Sequence, residues 1–451
     1  MAQSADYRMA SSRLVSFDGG VSARVAVQRP DRYRHLEAAW GDGRPRIARG
    51  GGYSYAAASF DADSVTIDMR RFDRILALDA VSRRIKVEAG LTLGRLLAFT
   101  TWRGLWIRQI PGYPDITVGG AIAANVQGKG AFRAGTFRHA VVDVTLFHPD
   151  LGWMTLSRDE KPSVFELTLG GFGLTGIIVS ATLQLEPLPG HEVSTRVSPL
   201  TTLSEGFARM SDVAEHCDFA YTWHDAAPTA ASFGKGLLVE GEVLAGARPA
   251  GAFEPRYTIL PPCGDEGRLP IALWGGPMTP LVNGAFRALN RLQPQRRRET
   301  LFDSLFPFAR SSMYFRLFGP RGLMESQILV RLPDADHFLA ELESRIRKHR
   351  PPAIFISLKM MRGEETYLRF ERHSLCVTVN MIRNRAGYDF SLVLDEMTER
   401  FGGLPSIIKD SRLPKSVVQK CYAGVDAFCT ELRAFDPARR FRSELSRRLD
   451  L

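Results

Sequence analysis

The sequence predicts an α+β protein in which a strand-rich first domain is followed by a second domain built on an antiparallel sheet. At roughly 100–200 residues per domain, a chain of 451 residues predicts two or three domains. Short alternating strands and glycine-rich turns fill the first part, and longer helices and strands follow. The Pro/Gly turn at 187–190 separates the two patterns. We therefore assign residues 1–190 to the first domain, 191–408 to the second, and 409–451 to a C-terminal segment that returns to the first.

The composition is that of an ordinary globular protein with a basic surface. Lys and Arg number 59 against 49 Asp and Glu, a net charge of +10. Such a charge favours an acidic partner, which is a nucleic acid, an anionic membrane, or a phosphorylated cofactor or substrate. Five scattered cysteines without a CxxC motif predict no metal site and fit a reducing compartment. With no long apolar run, we expect a cytoplasmic protein or one peripheral to the inner face of the membrane.

The first domain has a strand pattern interrupted by one clear helix. Strands are predicted at 46–49, 65–69, 84–89, 141–147, 153–156 and 177–185. Apolar residues at helical spacing predict a helix over 91–104, with Thr92 as its N-cap.

The second domain alternates helices with strands. Helices are predicted at 207–216 and 334–349, and strands at 219–223, 326–332, 353–358 and 374–381. The segment 247–300 is rich in Pro, Gly and Arg, and we expect it to be loop-like. The tail at 414–451 is helical by period and is broken at Asp436-Pro437.

Three glycine-rich stretches lie in the first domain, at Gly50-Gly51-Gly52, Gly119-Gly120 and Gly170-Gly171-Phe172-Gly173. Their backbone N–H groups can hold phosphate oxygens, because no Cβ blocks the approach. One such stretch alone would be read as turn glycines, but three together favour a large phosphorylated cofactor. The segment 171–176 fits GxGxxG as a string, yet it leads into a strand rather than a helix, which argues against a Rossmann site. No GxxxxGK[ST] or GxSxG motif is present, so a P-loop nucleotide hydrolase and a serine hydrolase are not expected.

Around these glycines the sequence resembles flavoproteins of the vanillyl-alcohol oxidase class. The segment 47–55 resembles the pyrophosphate loop, 111–112 with 117–123 resembles the second flavin-embracing segment, and 169–178 resembles the third. Within that class the chain is similar, nearly end to end, to the decaprenylphosphoryl-β-D-ribose 2-oxidase family. The resemblance implies a PCMH-type FAD-binding fold and an FAD-dependent oxidoreductase acting on CH–OH groups.

The resemblance also implies which residues hold FAD. They are Arg49, Gly50, Gly51, Gly52, Tyr53, Ser54, Pro111, Gly112, Thr117, Val118, Gly119, Gly120, Ala123, Asn125, Gly128, Gly173, Thr175, Gly176, Ile177 and Ile178.

Four residues are implied as catalytic, and they are Lys409, Tyr55, Gln127 and Cys376. Lys409 corresponds to a lysine at the flavin pyrimidine edge, where a cation stabilises negative charge on reduced flavin; the alternative is a surface lysine. Cys376 corresponds to the family's active-site cysteine, and the alternative is a buried strand cysteine. The general base is left open among Lys409, Tyr55 and a water held by Gln127.

The substrate pocket is implied to contain Lys359, Gln327, Glu325 and Trp223, with core packing as the alternative for Trp223. Several pocket positions depart from the family. Gln127 replaces the usual histidine, the position that carries covalent flavin in some relatives, so we expect noncovalent FAD. Glu325 replaces a glutamine, Leu305 a tyrosine and Ser374 an asparagine. The flavin segments remain intact, so the cofactor is better specified than the substrate.

The resemblance implies oxidation of a secondary sugar alcohol to a ketone on a polyprenyl-phosphate-linked pentose, as the 2-oxidase half of an epimerase pair in cell-wall or glycan biosynthesis. A partner reductase would complete that reaction. The altered pocket leaves open a soluble polyol, cyclitol or nucleotide-linked sugar. A lipid-linked substrate implies peripheral membrane contact, for which the segment around 250–300 and residues 302–308 are candidates, with a solvated loop as the alternative. The arginines at 296–298 would suit anionic lipid headgroups. A nucleic-acid partner is not expected, because the basic residues are scattered without a recognition motif.

Overall fold

A computed structural model describes residues 9–246, 271–275, 278–307 and 313–451. Part of the segment predicted to be loop-like, 247–270, lies outside these residues, as does Phe308. Two domains and a C-terminal segment are described below in chain order.

The first domain begins with a mixed four-stranded sheet. Its strands are β1 (Ala10–Val15), β2 (Ser22–Gln28), β3 (Arg46–Arg49) and β4 (Val65–Asp68), in the spatial order β1-β2-β4-β3. The β1–β2 pair is antiparallel, whereas β2, β4 and β3 run parallel. β3 ends at Arg49, and the Gly50-Gly51-Gly52 turn follows it directly in the chain.

A five-stranded antiparallel sheet and a short strand pair complete this domain. The strands are β5 (Ile75–Asp79), β6 (Arg84–Glu88), β7 (Leu105–Trp106), β8 (Val141–His148), β9 (Gly152–Ser157), β10 (Ile177–Gln184) and β11 (Glu186–Pro187), with the sheet order β5-β6-β10-β8-β9 and a separate β11–β7 pair. The helices are α1 (Tyr33–Glu37), α2 (Leu93–Thr101), α3 (Val118–Ala123), α4 (Ala131–Ala134) and α5 (Pro162–Thr168), with 3₁₀ turns at Ala38–Trp40 and Phe137–Ala140. The Thr92 side chain accepts a hydrogen bond from Arg95 N, which confirms the predicted N-cap of α2.

The second domain is built on an eight-stranded antiparallel sheet. Its strands are β12 (Glu192–Leu200), β13 (Phe219–Asp225), β14 (Gly236–Val243), β15 (Arg296–Thr300), β16 (Leu323–Arg331), β17 (Ala353–Met361), β18 (Ser374–Ile382) and β19 (Leu404–Pro405), in the order β15-β12-β14-β13-β17-β18-β16-β19. The helices are α6 (Leu203–Ala214), α7 (Met278–Leu292), α8 (Leu301–Leu305), α9 (Met313–Arg316), α10 (Ala335–His349) and α11 (Arg385–Arg400), with 3₁₀ turns at Gly319–Arg321 and Leu332–Asp334. α6, α10 and α11 cover one face of this sheet and form a core with it. The other face is free to form a wall of the site.

The C-terminal segment contains α12 (Lys415–Cys421), α13 (Val425–Phe435) and α14 (Glu444–Leu449). It contacts the first domain through the backbone, because Arg46 N donates to the carbonyl of Arg440 at 2.8 Å and Arg442 N donates to the carbonyl of Arg46 at 3.0 Å. The helix break predicted at Asp436-Pro437 is confirmed, because α13 ends at Phe435 and α14 begins at Glu444.

The prediction of a loop-like segment over 247–300 is wrong for its second half. Residues 278–292 form α7, and Arg296, Arg297 and Arg298 lie in β15, an edge strand paired with β12. The sequence pattern was misleading because β15 is charged at nearly every position, so apolar and polar residues do not alternate along it. Only the exposure of its side chains alternates between the two faces of the sheet. No helix within the described ranges is long and apolar enough to cross a bilayer.

Candidate functional site

A cavity of about 750 Å³ lies between the glycine-rich loops of the first domain and the uncovered face of the eight-stranded sheet. Residues 406–409, which precede the C-terminal helices, form a third wall. The N–H groups of Tyr55 and Ala56 both donate to the carbonyl of Ile408 at 3.1 Å. These hydrogen bonds hold the third wall against the loop that follows Gly50-Gly51-Gly52. The cavity size is that of a cofactor or ligand site.

The glycine loops meet backbone to backbone at the cavity. A Cβ on Gly51 would overlap the carbonyl oxygen of Asp115, and one on Gly50 would overlap the Thr117 hydroxyl. Gly128 is equally close to the carbonyl of Ile110. Only glycine fits at such contacts, so the three positions form a cradle with backbone rather than side chains at its surface.

Arg49 gives this cradle a positive charge. Its guanidinium donates to the Ser59 hydroxyl at 2.7 Å, and no carboxylate in the described ranges makes an ion pair with it. Burial lowers the pKa of Arg49 to about 10, with a further contribution from the charge of Arg70. A half-buried cation that makes no ion-pair contact in the described ranges, next to open backbone N–H groups, fits a pyrophosphate.

The sheet wall follows from strand register. Cross-strand pairing places Glu325 opposite Asn380, Gln327 opposite Thr378, and Lys359 opposite Cys376. Paired residues point to the same face, and the alternate residues belong to the helix-covered core. The side chains that line the cavity from this sheet include Tyr221, Trp223, Glu325, Gln327, Phe355, Ser357, Lys359, Thr378 and Asn380.

Four polar side chains from distant parts of the sequence form one connected chain in the cavity wall. Lys409 Nζ lies 3.3 Å from Glu325 Oε1, and Gln327 Nε2 donates to the same oxygen at 2.9 Å. Gln127 Nε2 donates to Gln327 Oε1 at 3.4 Å. Lys409 Nζ also lies 3.9 Å from the centroid of the Tyr55 ring. The cavity thus brings together Lys409, Tyr55 and Gln127.

Gln127 leaves one hydrogen-bond acceptor unused at the cavity. Its Oε1 is buried and has no partner within the described part of the chain. A buried amide oxygen without a partner is costly, and a donor from a bound molecule would satisfy it.

Two further lysines line the cavity and have lowered pKa values. Burial lowers the pKa of Lys359. Burial, together with the charge of Lys359, lowers the pKa of Lys129 to about 7. Lys129 Nζ donates to the Ser304 carbonyl at 2.6 Å and lies 4.9 Å from the centroid of the Tyr221 ring. Lys129 was not among the predicted site residues, although it is two positions after Gln127, which was.

Four predicted site residues do not line the cavity. Cys376 is 0% exposed and packs in a hydrophobic cluster beneath it, where burial raises the pKa of its thiol to about 11. Val118 is the first residue of α3 and packs into the first domain's core. Thr175 is hydrogen-bonded to Thr168 at 2.9 Å, and Ile177 packs against the four-stranded sheet. These are corrections. Val118, Thr175 and Ile177 point away from the loop surface that their neighbours present, whereas Cys376 lies on the same sheet face as Lys359 but is covered by its cluster.

The other implied residues line the cavity, and their roles there stay predictions. Tyr113, Ser406 and Ile408 also line the cavity but were not predicted. Of the four departures from the family, only Gln127 and Glu325 line it. Leu305, the last residue of α8, is buried in the hydrophobic cluster that includes the first domain's core, and the Ser374 hydroxyl donates to the Arg372 carbonyl. No cluster of acidic, His and Cys side chains suited to a metal ion occurs among the described residues.

Comparisons with known proteins agree with this geometry. A family model described as an FAD binding domain matches residues 30–155. The chain is 26% identical over 426 residues to decaprenylphosphoryl-β-D-ribose oxidase of Mycolicibacterium smegmatis. The aligned region covers 91% of this chain and 90% of that protein. It is 22% identical over 407 residues to L-gulonolactone oxidase of Mus musculus, covering 87% of this chain and 86% of that protein. Cytochrome-type D-lactate dehydrogenase 1 of Saccharomyces cerevisiae is 29% identical over 159 residues, 34% of this chain and 27% of that protein.

These similarities confirm the predicted α+β PCMH-type fold, the FAD cofactor and the oxidoreductase class. The glycine cradle with Arg49 independently fits a bound dinucleotide. The chain is therefore an FAD-dependent oxidoreductase with a PCMH-type FAD-binding domain, and it resembles decaprenylphosphoryl-β-D-ribose oxidase along nine tenths of its length.

Proposed function

We propose that the protein oxidises a secondary alcohol of a sugar to a ketone, with a pentose carried on polyprenyl phosphate as its substrate. The main support is the polar chain of Lys409, Glu325, Gln327 and Gln127, which faces the same cavity as the glycine loops. Similarity to a decaprenylphosphoryl-β-D-ribose oxidase supports the same substrate class.

Bound FAD supplies the hydride acceptor. The protein's own groups bind the sugar and manage charge and protons. Gln127 Oε1 accepts a hydrogen bond from a substrate hydroxyl, and the Lys409 ammonium stabilises negative charge that develops near it. The proton of the reacting hydroxyl passes to Tyr55, to a water held by Gln127, or to Lys409 in its neutral amine form. Only in the first two cases does Lys409 also act as the stabilising cation. The sheet wall orients the sugar and excludes water.

FAD is bound noncovalently in this proposal. An amide at position 127 is not a nucleophile, and the Cys376 thiol lies outside the cavity lining. Acid precipitation of the purified yellow protein should leave the flavin in the supernatant. Flavin that remains on the precipitated chain would contradict this assignment.

The product ketone would be returned to an alcohol of inverted configuration by a separate reductase, so this protein would be the oxidising half of an epimerisation. Reoxidation requires an acceptor such as a quinone, O₂ or a carrier. This activity belongs to cell-wall or glycan biosynthesis and to the cytoplasm or the inner face of the membrane.

One observation favours a second candidate, a soluble sugar, polyol or cyclitol. The Glu325 carboxylate neutralises Lys409 and places negative charge in the pocket, which suits a neutral, hydroxyl-rich substrate better than a phosphate. Anaerobic titration distinguishes the two. Bleaching of the flavin absorbance by a polyprenyl-phosphoryl pentose, with the ketone identified by mass, supports the main proposal. Bleaching only by neutral soluble sugars, polyols or cyclitols supports the second, and bleaching by a nucleotide-linked sugar contradicts its charge argument. The absence of bleaching by any sugar overturns both.

A further inference from the structure

Helix α7 is oriented with its polar side inward. Asn283 is fully buried, and its Nδ2 donates to Asp225 Oδ1 at 2.8 Å and to the Ile354 carbonyl at 2.9 Å. Arg287 Nη1 forms an ion pair with Asp225 Oδ2 at 2.7 Å. Thr279 is also buried. A surface helix of a globular domain normally buries its apolar face, so α7 is inverted.

The apolar side of α7 faces outward. Leu281 is 65% exposed, Leu289 60% and Leu292 84%. With Met278 and Ala285 these residues fall within an arc of about 80° on a helix that turns about 100° per residue. Scattered exposed leucines need no explanation, but a continuous row on one helix face indicates an interaction surface.

Charge near this face indicates what covers it. Arg291 on α7 and Arg296 just after it are exposed and have no ion-pair partner within the described ranges. Arg298 is also exposed, and it pairs only with the exposed Glu192. A second copy of the chain would bring these arginines against their own counterparts across a two-fold axis. Anionic lipid headgroups would complement them.

The same helix reaches the cavity. Phe286 and Asn290 line it, and the Phe286 ring lies 4.8 Å from the ring of Trp223 in the sheet wall. The helix that carries the exposed row therefore also contributes side chains to one wall of the proposed active site.

We infer that α7 docks the protein on an anionic membrane surface, with its row of leucines at the level of the acyl chains and the neighbouring arginines among the headgroups. Docking rests on the inverted helix and on the exposed arginines that follow it in the chain. Its use as the entry route for a lipid-linked sugar rests on the proposed function.

Vesicle sedimentation with the full, flavin-loaded protein tests this inference without any substrate. Binding is expected to vesicles of phosphatidylcholine with phosphatidylglycerol and to weaken as salt rises. The variant L281Q/L289Q/L292Q should bind at least about tenfold more weakly. The control L76Q/L151Q/L392Q removes exposed leucines from other surfaces and should bind like the parent. R291Q/R296Q should lose the preference for anionic over neutral vesicles.

Flavin absorbance and melting temperature check that each variant is folded, and L292Q alone, at the most exposed position, serves if the triple variant is not. Unchanged vesicle binding by the α7 variants would overturn the inference. So would a parent dimer that these variants convert to a monomer, since a second copy would then cover the row. Normal docking without oxidation of a lipid-linked sugar would instead count against the proposed function alone.

Discussion

Glu325 Oε1 lies 3.3 Å from Lys409 Nζ, so the lysine at the polar end of the cavity carries its own countercharge. The carboxylate side chain is 9% exposed and the ammonium 26%, and the pair is therefore shielded from bulk water. The resemblance implies a glutamine at the position of Glu325, so we expect the ion pair to be particular to this chain. It sets the charge that a substrate meets.

Glu325→Gln should strengthen the binding of anionic substrates. Removal of the carboxylate leaves Lys409 free to attract a phosphate, and a partly exposed pair of this kind contributes about 1 kcal/mol, or roughly fivefold in KM. The comparison is the ratio of KM values for a phosphorylated and a neutral sugar, in the parent and in the variant. Glu364→Gln, at an exposed carboxylate outside the cavity, should leave the ratio unchanged. An equal change for both sugars would show that Glu325 does not act through charge.

Gly51→Ala should reduce flavin content by at least about tenfold, because the new methyl group meets the Asp115 carbonyl and that backbone cannot move aside without separating the two loops. The ratio of flavin to protein absorbance after purification measures this. Gly41→Ala is the matched control, since a Cβ there meets no atom within 4 Å. A variant at position 51 that retains full flavin would show that the loops do not form the cradle.

Lys129 should make stability depend on pH above neutrality. An unfolded lysine keeps its proton up to its ordinary pKa of 10.5, whereas the folded one loses it near 7, so the unfolded chain binds more protons between these values. The stability of the parent relative to Lys129→Met should therefore rise with pH, by about 2 kcal/mol from about pH 7 to about pH 9.

Denaturant unfolding of flavin-loaded parent and variant at both pH values provides the measurement. Lys129→Arg, which cannot lose its proton, should not show the gain at the higher pH. The charges closest to Lys129 are those of Lys359 and Glu299, and they remain in all three proteins. A difference between parent and Lys129→Met that is constant with pH would mean that Lys129 stays protonated in the folded chain.

Cys376→Ala should retain kcat within about twofold, although the resemblance implied a catalytic role. The thiol is fully buried in an apolar cluster and its pKa is raised to about 11, so it is neither accessible nor ionised near neutrality. The expected cost is about 1 kcal/mol of stability from the lost sulfur contacts. Loss of activity with an unchanged melting temperature would restore the cysteine to the reacting site.

The elements that sequence predicted best are those whose pattern reflects burial on one side. Strands such as β10 and the capped helix α2 follow from alternation and from Thr92. α7 also has one apolar and one polar side, although Asn283 and Arg287 face inward and its leucines face outward. Periodicity identifies a helix from the contrast between its faces, but a Pro/Gly/Arg-rich context concealed it here.

The site shows the same limit. Glycine loops are recognisable because backbone contact demands a particular residue, whereas Lys129 and Tyr113 have no such signature and reach the cavity only through the three-dimensional arrangement. The ion pair of Glu325 with Lys409 joins two positions far apart in the chain, and only strand register and the placement of residues 406–409 bring them together. Val118, Thr175 and Ile177 show the opposite limit. They lie within the recognised flavin-binding segments, yet their side chains are buried in the protein and do not line the cavity.

The two hydrogen bonds from Tyr55 N and Ala56 N to the Ile408 carbonyl determine when, during synthesis of the chain on the ribosome, the cavity can be completed. The ribosome releases the first glycine loop long before residues 406–409, and chains fold from the N-terminus as they emerge. Until that later segment arrives, the loop lacks the wall against which it is closed. Capture of the flavin by a complete cavity must therefore wait for nearly the whole chain, so that cofactor supply acts on a finished polypeptide rather than on a nascent one.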